Sequence, residues 1–159
     1  WKEDYLNSMN NIIDLNKIGV NNYDILDFSK TLDNATIAIK NEDKIVATTE
    51  MAKLYTYIPK YIEKVTEEPQ KNLKEVKSFL INAYAAVEED NWTKVNEEVK
   101  AGEEILSRVM SNTNFVNNYS FNINKIYVTF SELKNSISLQ DKDVFYLKYR
   151  DVLKELDAF

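Results

Sequence analysis

The sequence predicts an all-α protein, an antiparallel bundle of six or seven helices in a single domain over residues 1–159. Three observations carry this. Apolar residues recur in steps of three and four along most of the chain, the spacing of one helix face. Gly and Pro are scarce, two of each, whereas sheet proteins draw on both for their many turns. Short polar segments separate the periodic runs, and corners that short join antiparallel neighbours.

The clearest unit is the last. Val116, Tyr119, Ile123, Ile126, Phe130, Leu133 and Ile137 form one stripe, and Phe145, Tyr149, Val152, Leu156 and Phe159 form another. Between them lies the corner Gln140-Asp141-Lys142-Asp143, with Asp141 placed to cap the second helix. The remaining elements read as variations on this hairpin.

Taken in order, residues 1–18 predict a helix with Tyr5, Met9, Ile12 and Ile13 on one face. Gly19 and Asn21-Asn22 interrupt it, because both residue types tolerate the left-handed conformation that ends helices. A second helix carries Ile25, Phe28, Leu32, Ala35 and Ile39. After the corner Asn41-Glu42-Asp43, a third helix has a wide apolar face: Ile45, Thr48, Ala52, Tyr55 and Ile62, flanked by Met51, Leu54, Ile58 and Val65. That width predicts a central position. Pro59 removes an N–H and crowds the carbonyl of Tyr55, so a kink or a helix end near Ile58 is expected.

Pro69 suits the first turn of a fourth helix, which carries Leu73, Val76, Leu80, Ala83 and Val87. Asp90 or Asn91 caps a fifth, with Trp92, Val95, Val99, Gly102, Leu106 and Val109. Gly102 on the stripe costs about 1 kcal/mol against Ala, which a closely approaching helix would offset. Ser111 to Asn114 reads as a loop. Leu32-Asp33-Asn34-Ala35 is echoed by Leu133-Lys134-Asn135-Ser136, so two repeated three-helix units are an alternative description.

Composition narrows function. There is no His and no Cys, which removes His-dependent triads, thiol chemistry and imidazole metal sites. The formal net charge is −6 and Arg occurs only at Arg108 and Arg150, a poor match to nucleic acid. No apolar run reaches about 18 residues, the length that spans a bilayer. The chain begins at Trp1, and we expect a removed signal or anchor segment upstream.

Four sets of residues are candidates for function. Tyr55, Tyr57 and Tyr61 surround Pro59 and are the candidate ligand-binding residues, against the alternative that their rings pack at the core rim. The acidic corners Glu42-Asp43, Glu88-Glu89-Asp90 and Asp141-x-Asp143 have oxygens for a cation, but they lack the spacing of a calcium loop and read as helix caps. Glu63, Glu67 and Glu68, or Glu97, Glu98, Glu103 and Glu104, read as solvated faces rather than acid–base pairs. Trp92 reads as a cover on the core end, or as a partner anchor. No catalytic residue, metal ligand or cofactor is assigned.

Asn91-Trp92-Thr93-Lys94-Val95, Ile126-Tyr127-x-x-Phe130-x-Glu132-Leu133-x-Asn135-x-Ile137 and Asp143 with the closing helix resemble an uncharacterised family of small helical bacterial lipoproteins of Firmicutes. The resemblance covers residues 91–159. It implies a helical bundle at the cell envelope and carries over no catalytic residues. The expectation is a non-enzymatic binding or interaction module on the extracellular face of the membrane. It would be held there only through the removed anchor, and would bind a protein or small ligand and no nucleic acid. An extracytoplasmic sensory or scaffold domain working by helix packing is the alternative. A carboxylate-only metalloenzyme, a third class, would need at least four acids converging inside the bundle.

Overall fold

The computed structural model describes residues 16–17, 19–62 and 67–159. Among them there are seven α-helices and no strand. These are α1 (Asn22–Lys40), α2 (Lys44–Ile62), α3 (Glu68–Glu88), α4 (Trp92–Ser111), α5 (Thr113–Asn118), α6 (Ser120–Ser136) and α7 (Lys142–Leu156). The expected helix over residues 1–18 lies almost wholly outside the described residues, as do Glu63 and Val65.

Three helical hairpins organise the described chain: α1–α2, α3–α4 and α6–α7. The corners are built alike. Glu42, Asp90 and Gln140 each adopt the left-handed conformation, with φ of 57°, 55° and 50°. Each donates its N–H to the carbonyl three residues back, on Ile39, Val87 and Ile137. The next residue caps the following helix, Asp43 Oδ1 accepting from Val46 N, Asn91 Oδ1 from Lys94 N and Asp141 Oδ1 from Val144 N. In the first two corners, that cap residue also donates back to Ala38 or Ala86, closing a Schellman motif. The third corner is entered through a 3-10 turn, Ile137–Leu139.

A polar cross-pair sits eight residues either side of each corner residue: Asn34 with Glu50, Asn82 with Glu98, and Glu132 with Lys148. A shift of 48 residues lays the first hairpin on the second, and a shift of 50 lays the second on the third. The internal repeat is thus a hairpin present three times, rather than the three-helix unit suggested by matching Leu32 with Leu133.

α3–α4 and α6–α7 close on each other as a four-helix bundle. α4 packs beside α3 and α6, and α7 beside α6 and α3. The sequence stripes meet inside it. Leu73, Val76, Leu80, Val87, Val95, Val99, Leu106, Ile123, Ile126, Phe130, Leu133, Phe145, Val152 and Leu156 form one core, each large side chain contributing about 1.5–3 kcal/mol by leaving water. Trp92 covers its end edge-on to Phe145 at 6.3 Å. Gly102 lies under Phe130 and Phe79, whose nearest atoms are 3.4 Å from where a Cβ would stand.

α1–α2 lies outside this bundle, with α2 between α1 and α3. Its own core is small: Leu32, Ala35 and Leu54, with Phe28 beside them. Three expectations are corrected here. Ile39, Met51 and Ile58 were placed on buried faces, yet they are 60%, 41% and 39% exposed. Their equivalents Val87, Val99 and Leu106 are 0%, 1% and 2% exposed, because α6–α7 covers them. Of the two outcomes expected at Pro59, a kink or a helix end, the end near Ile58 is removed, because α2 continues through the buried Pro59 to Ile62. The expected loop at Ser111 to Asn114 reduces to Asn112, whose side chain caps α5 by accepting from Phe115 N at 3.0 Å.

Candidate functional site

α1 and α2 hold a polar cleft of about 330 Å3 between their outer faces. Asp27, Lys30, Thr31 and Asn34 line it from α1, and Glu50, Lys53, Thr56 and Tyr57 from α2. Its floor is Glu50, a buried carboxylate. It accepts from Lys53 Nζ at 2.5 Å and from Asn34 Nδ2 at 3.4 Å. At one end the Tyr57 hydroxyl donates to Asp27. Thr31, on the turn after Asp27, returns its hydroxyl to the Asp27 carbonyl at 2.8 Å.

The three candidate tyrosines do not form one site. Tyr57 and Tyr61, four residues apart, share a face and stack with centroids 6.0 Å apart. Phe28 meets Tyr57 edge-on at 5.3 Å. The Lys60 ammonium lies 5.9 Å from the Tyr57 ring and 5.4 Å from the Tyr61 ring, and it pairs with Asp24 at 2.7 Å. Lys60, helped by the Tyr61 hydroxyl, holds the Asp24 carboxyl below its ordinary value. Burial, then the neighbouring carboxylates Asp27 and Asp24, push the Tyr57 and Tyr61 hydroxyls up. Asp24 Oδ2 and Tyr61 Oη are buried without a hydrogen-bond partner of good geometry among the described residues. Tyr55 points elsewhere, because two residues along a helix turn a side chain to another face. It lies under Lys77 of α3 at 5.5 Å, and burial and Asp157 push its hydroxyl up to about 12.

A second polar cluster, built on the acidic corner Glu88-Glu89-Asp90, joins all three hairpins. Glu88 ends α3 and is buried. Its carboxylate accepts from Tyr146 of α7 at 2.7 Å and pairs with Lys44 of α2 at 2.9 Å. Tyr84, one turn earlier on α3, also faces it. Burial raises the Glu88 carboxyl, but the donors from Tyr146, Lys44 and Tyr84 outweigh it and hold the group below its ordinary value. Lys142 of α7 pairs with Asp90 at 2.9 Å and reaches the Glu88 carbonyl at 3.5 Å. Thr49 donates to Glu89 at 2.9 Å. Read from the sequence, Glu88-Glu89-Asp90 closes a helix; Tyr84 at the preceding turn of the same stripe is the one local sign that Glu88 faces inward.

The remaining acids are dispersed. The corner acids Asp43 and Asp141 cap helices. Glu67, Glu68, Glu97 and Glu104 are exposed, and Glu103 pairs with Lys134. Glu98 departs from the solvated reading: burial raises its carboxyl, and Asn82 only partly offsets this. Among the described residues, no three acidic side chains converge as a metal-ligand set, and no helix is long and apolar enough to cross a membrane. The clusters hold paired acids, ammonium groups and tyrosine hydroxyls. That arrangement suits hydrogen bonding and ion pairing, and without His or Cys in the chain it contains no imidazole base or thiolate. No family model, curated protein or solved structure matches the chain.

Proposed function

We propose that the protein is a non-enzymatic interaction module of the bacterial cell envelope, and that it engages a helical protein partner through the α1–α2 hairpin. One observation carries the reading. Of the fourteen strongly exposed large apolar side chains among the described residues, eight lie on α1 and α2. Ile37, Ile39, Ile45, Val46 and Met51 gather toward its corner. Exposed apolar surface concentrated on one element is the mark of a contact surface, and the equivalents of Ile37, Ile39, Met51 and Ile58 on α3–α4, which are Ala85, Val87, Val99 and Leu106, are buried. The envelope location rests on the resemblance of residues 91–159 to envelope lipoproteins.

The test places a photocrosslinking residue at Ile39, at Met51 and, as a control, at Phe121 on the bundle, in the cell of origin. We expect membrane fractionation and one discrete adduct from Ile39 and Met51, absent from Phe121. A soluble cytosolic protein removes the envelope location, and adducts from all three positions alike remove the assigned surface.

The cleft beside Tyr57 supports a second reading, a small polar ligand, since its volume lies within the range of ligand sites. Saturable amide shifts confined to residues 27–57 during titration with small sugars and amino acids, and lost in Tyr57→Phe, would favour it over the protein partner.

A further inference from the structure

We infer that the α1–α2 hairpin opens from the α3–α7 bundle as one unit while the bundle stays folded. This goes beyond the partner proposed above and does not depend on it. The molecule has two separate apolar clusters, one built from α3–α7 and one from α1 and α2. Among the described residues, no side chain of α1 or α2 joins the bundle core, even at its partly buried margin. Cooperative unfolding is transmitted by shared packing, and regions that share little of it open at different free energies.

The seam between hairpin and bundle mixes polar and small side chains with two rings, Tyr55 of α2 and Phe79 of α3. Thr56 and Pro59 of α2 face Ser78 and Asn82 of α3 across a cleft of about 330 Å3. Contacts that bridge the seam toward the bundle include Lys44 to Glu88 at 2.9 Å, with the Lys44 ammonium also 6.0 Å from the Tyr146 ring, Thr49 to Glu89 at 2.9 Å, and Lys77 over the Tyr55 ring at 5.5 Å. The polar groups among these exchange protein partners for water when the seam parts, which lowers the cost of separation. The Lys44 side chain is 68% exposed while the Glu88 side chain it meets is 7% exposed, so this tie anchors the hairpin to a buried carboxylate of the bundle.

The test is native-state hydrogen exchange on the full chain at low denaturant concentrations, read by NMR. Leu32, Ala35 and Leu54 report the hairpin; Leu80, Ile126 and Phe145 report the bundle. We expect the hairpin amides to share one denaturant slope and to exchange at least about tenfold faster than the bundle amides, as a lower-lying cooperative unit does. Lys44→Met should speed the hairpin amides several-fold and leave the bundle amides unchanged. Convergence of both sets on a single opening overturns the inference, as does a Lys44→Met effect spread equally over both.

Discussion

The first and second hairpins share a corner, a cap and a cross-pair in the same register, yet one is half of a closed bundle and the other lies outside it. Val87, Val99 and Leu106 are sealed under α6–α7, whereas Ile39, Met51 and Ile58 at the equivalent positions stand open to water. The local rules that bend a chain back on itself are therefore not the rules that bury it. A corner needs a left-handed residue and a cap, both supplied within five residues. A core needs a second surface, and among the described residues α3–α4 finds one in α6–α7.

Substitutions at equivalent depth should separate the two regions. Phe145 is fully buried in the bundle, and Phe145→Ala should cost about 3–5 kcal/mol in chemical denaturation, loosening every helix of the bundle. Leu54 is the more deeply buried of the two leucines in the outer hairpin's core. Leu54→Ala should cost about 2–3 kcal/mol, with the added exchange confined to α1 and α2. Equal spread of both effects along the chain would erase the distinction between the regions.

Glu88 tests the junction. Glu88→Gln should lower stability at neutral pH by about 1–2 kcal/mol, the scale of hydrogen bonds to a charged group. The sign with pH follows from its lowered folded pKa. Its contribution is complete above the ordinary value of 4.5 and is lost as the pH falls through the lower folded value. The variant's stability should therefore decline less steeply than the parent's below about pH 4.5 in urea titrations. Identical acid limbs would show that the carboxylate is equally content in the unfolded chain.

Two smaller changes sharpen the view of the bundle. Gly102→Ala should gain about 0.5–1 kcal/mol, because the new methyl meets Phe130 and Phe79 at ordinary contact distance and the helix loses its glycine penalty. A loss instead would mean that the rings cannot give way. Gln140→Gly should also raise the thermal midpoint slightly, since glycine relieves the left-handed strain at that corner.

The bundle was legible in the sequence wherever the information was local. Asn91 and Asp141 cap as their positions announce, and the stripe Leu73 to Val87 lies wholly in the core, whereas the stripe from Val116 to Ile137 is broken between α5 and α6 at the 44% exposed Tyr119 and is buried throughout only from Ile123. A stripe states that a face is apolar; it does not state what lies opposite. Ile39 and Met51 look the same as Val87 and Val99 until the covering hairpin is placed. Glu88 reads from the sequence as part of an acidic corner, and its role as a buried junction is hidden because its partners Lys44 and Tyr146 lie far away along the chain. Tyr55 was grouped with Tyr57 and Tyr61 by proximity in sequence, while the helix turns it toward α3. Shared letters, Leu and Asn, do not mark the repeated hairpin; its signature is geometric. Asn34 with Glu50 and Glu132 with Lys148 occupy one position with different side chains.

That signature constrains how such a chain can change length. The cross-pair lies eight residues from the corner residue on each arm, roughly 12 Å along the helix axis at 1.5 Å per residue. One residue added to a single arm swings its member of the pair by about 100° and off the facing line. Seven residues added to both arms bring it back to within about 20°. Insertions inside these hairpins should therefore be tolerated as paired heptads, one per arm, while single-residue insertions there break the register of everything beyond them.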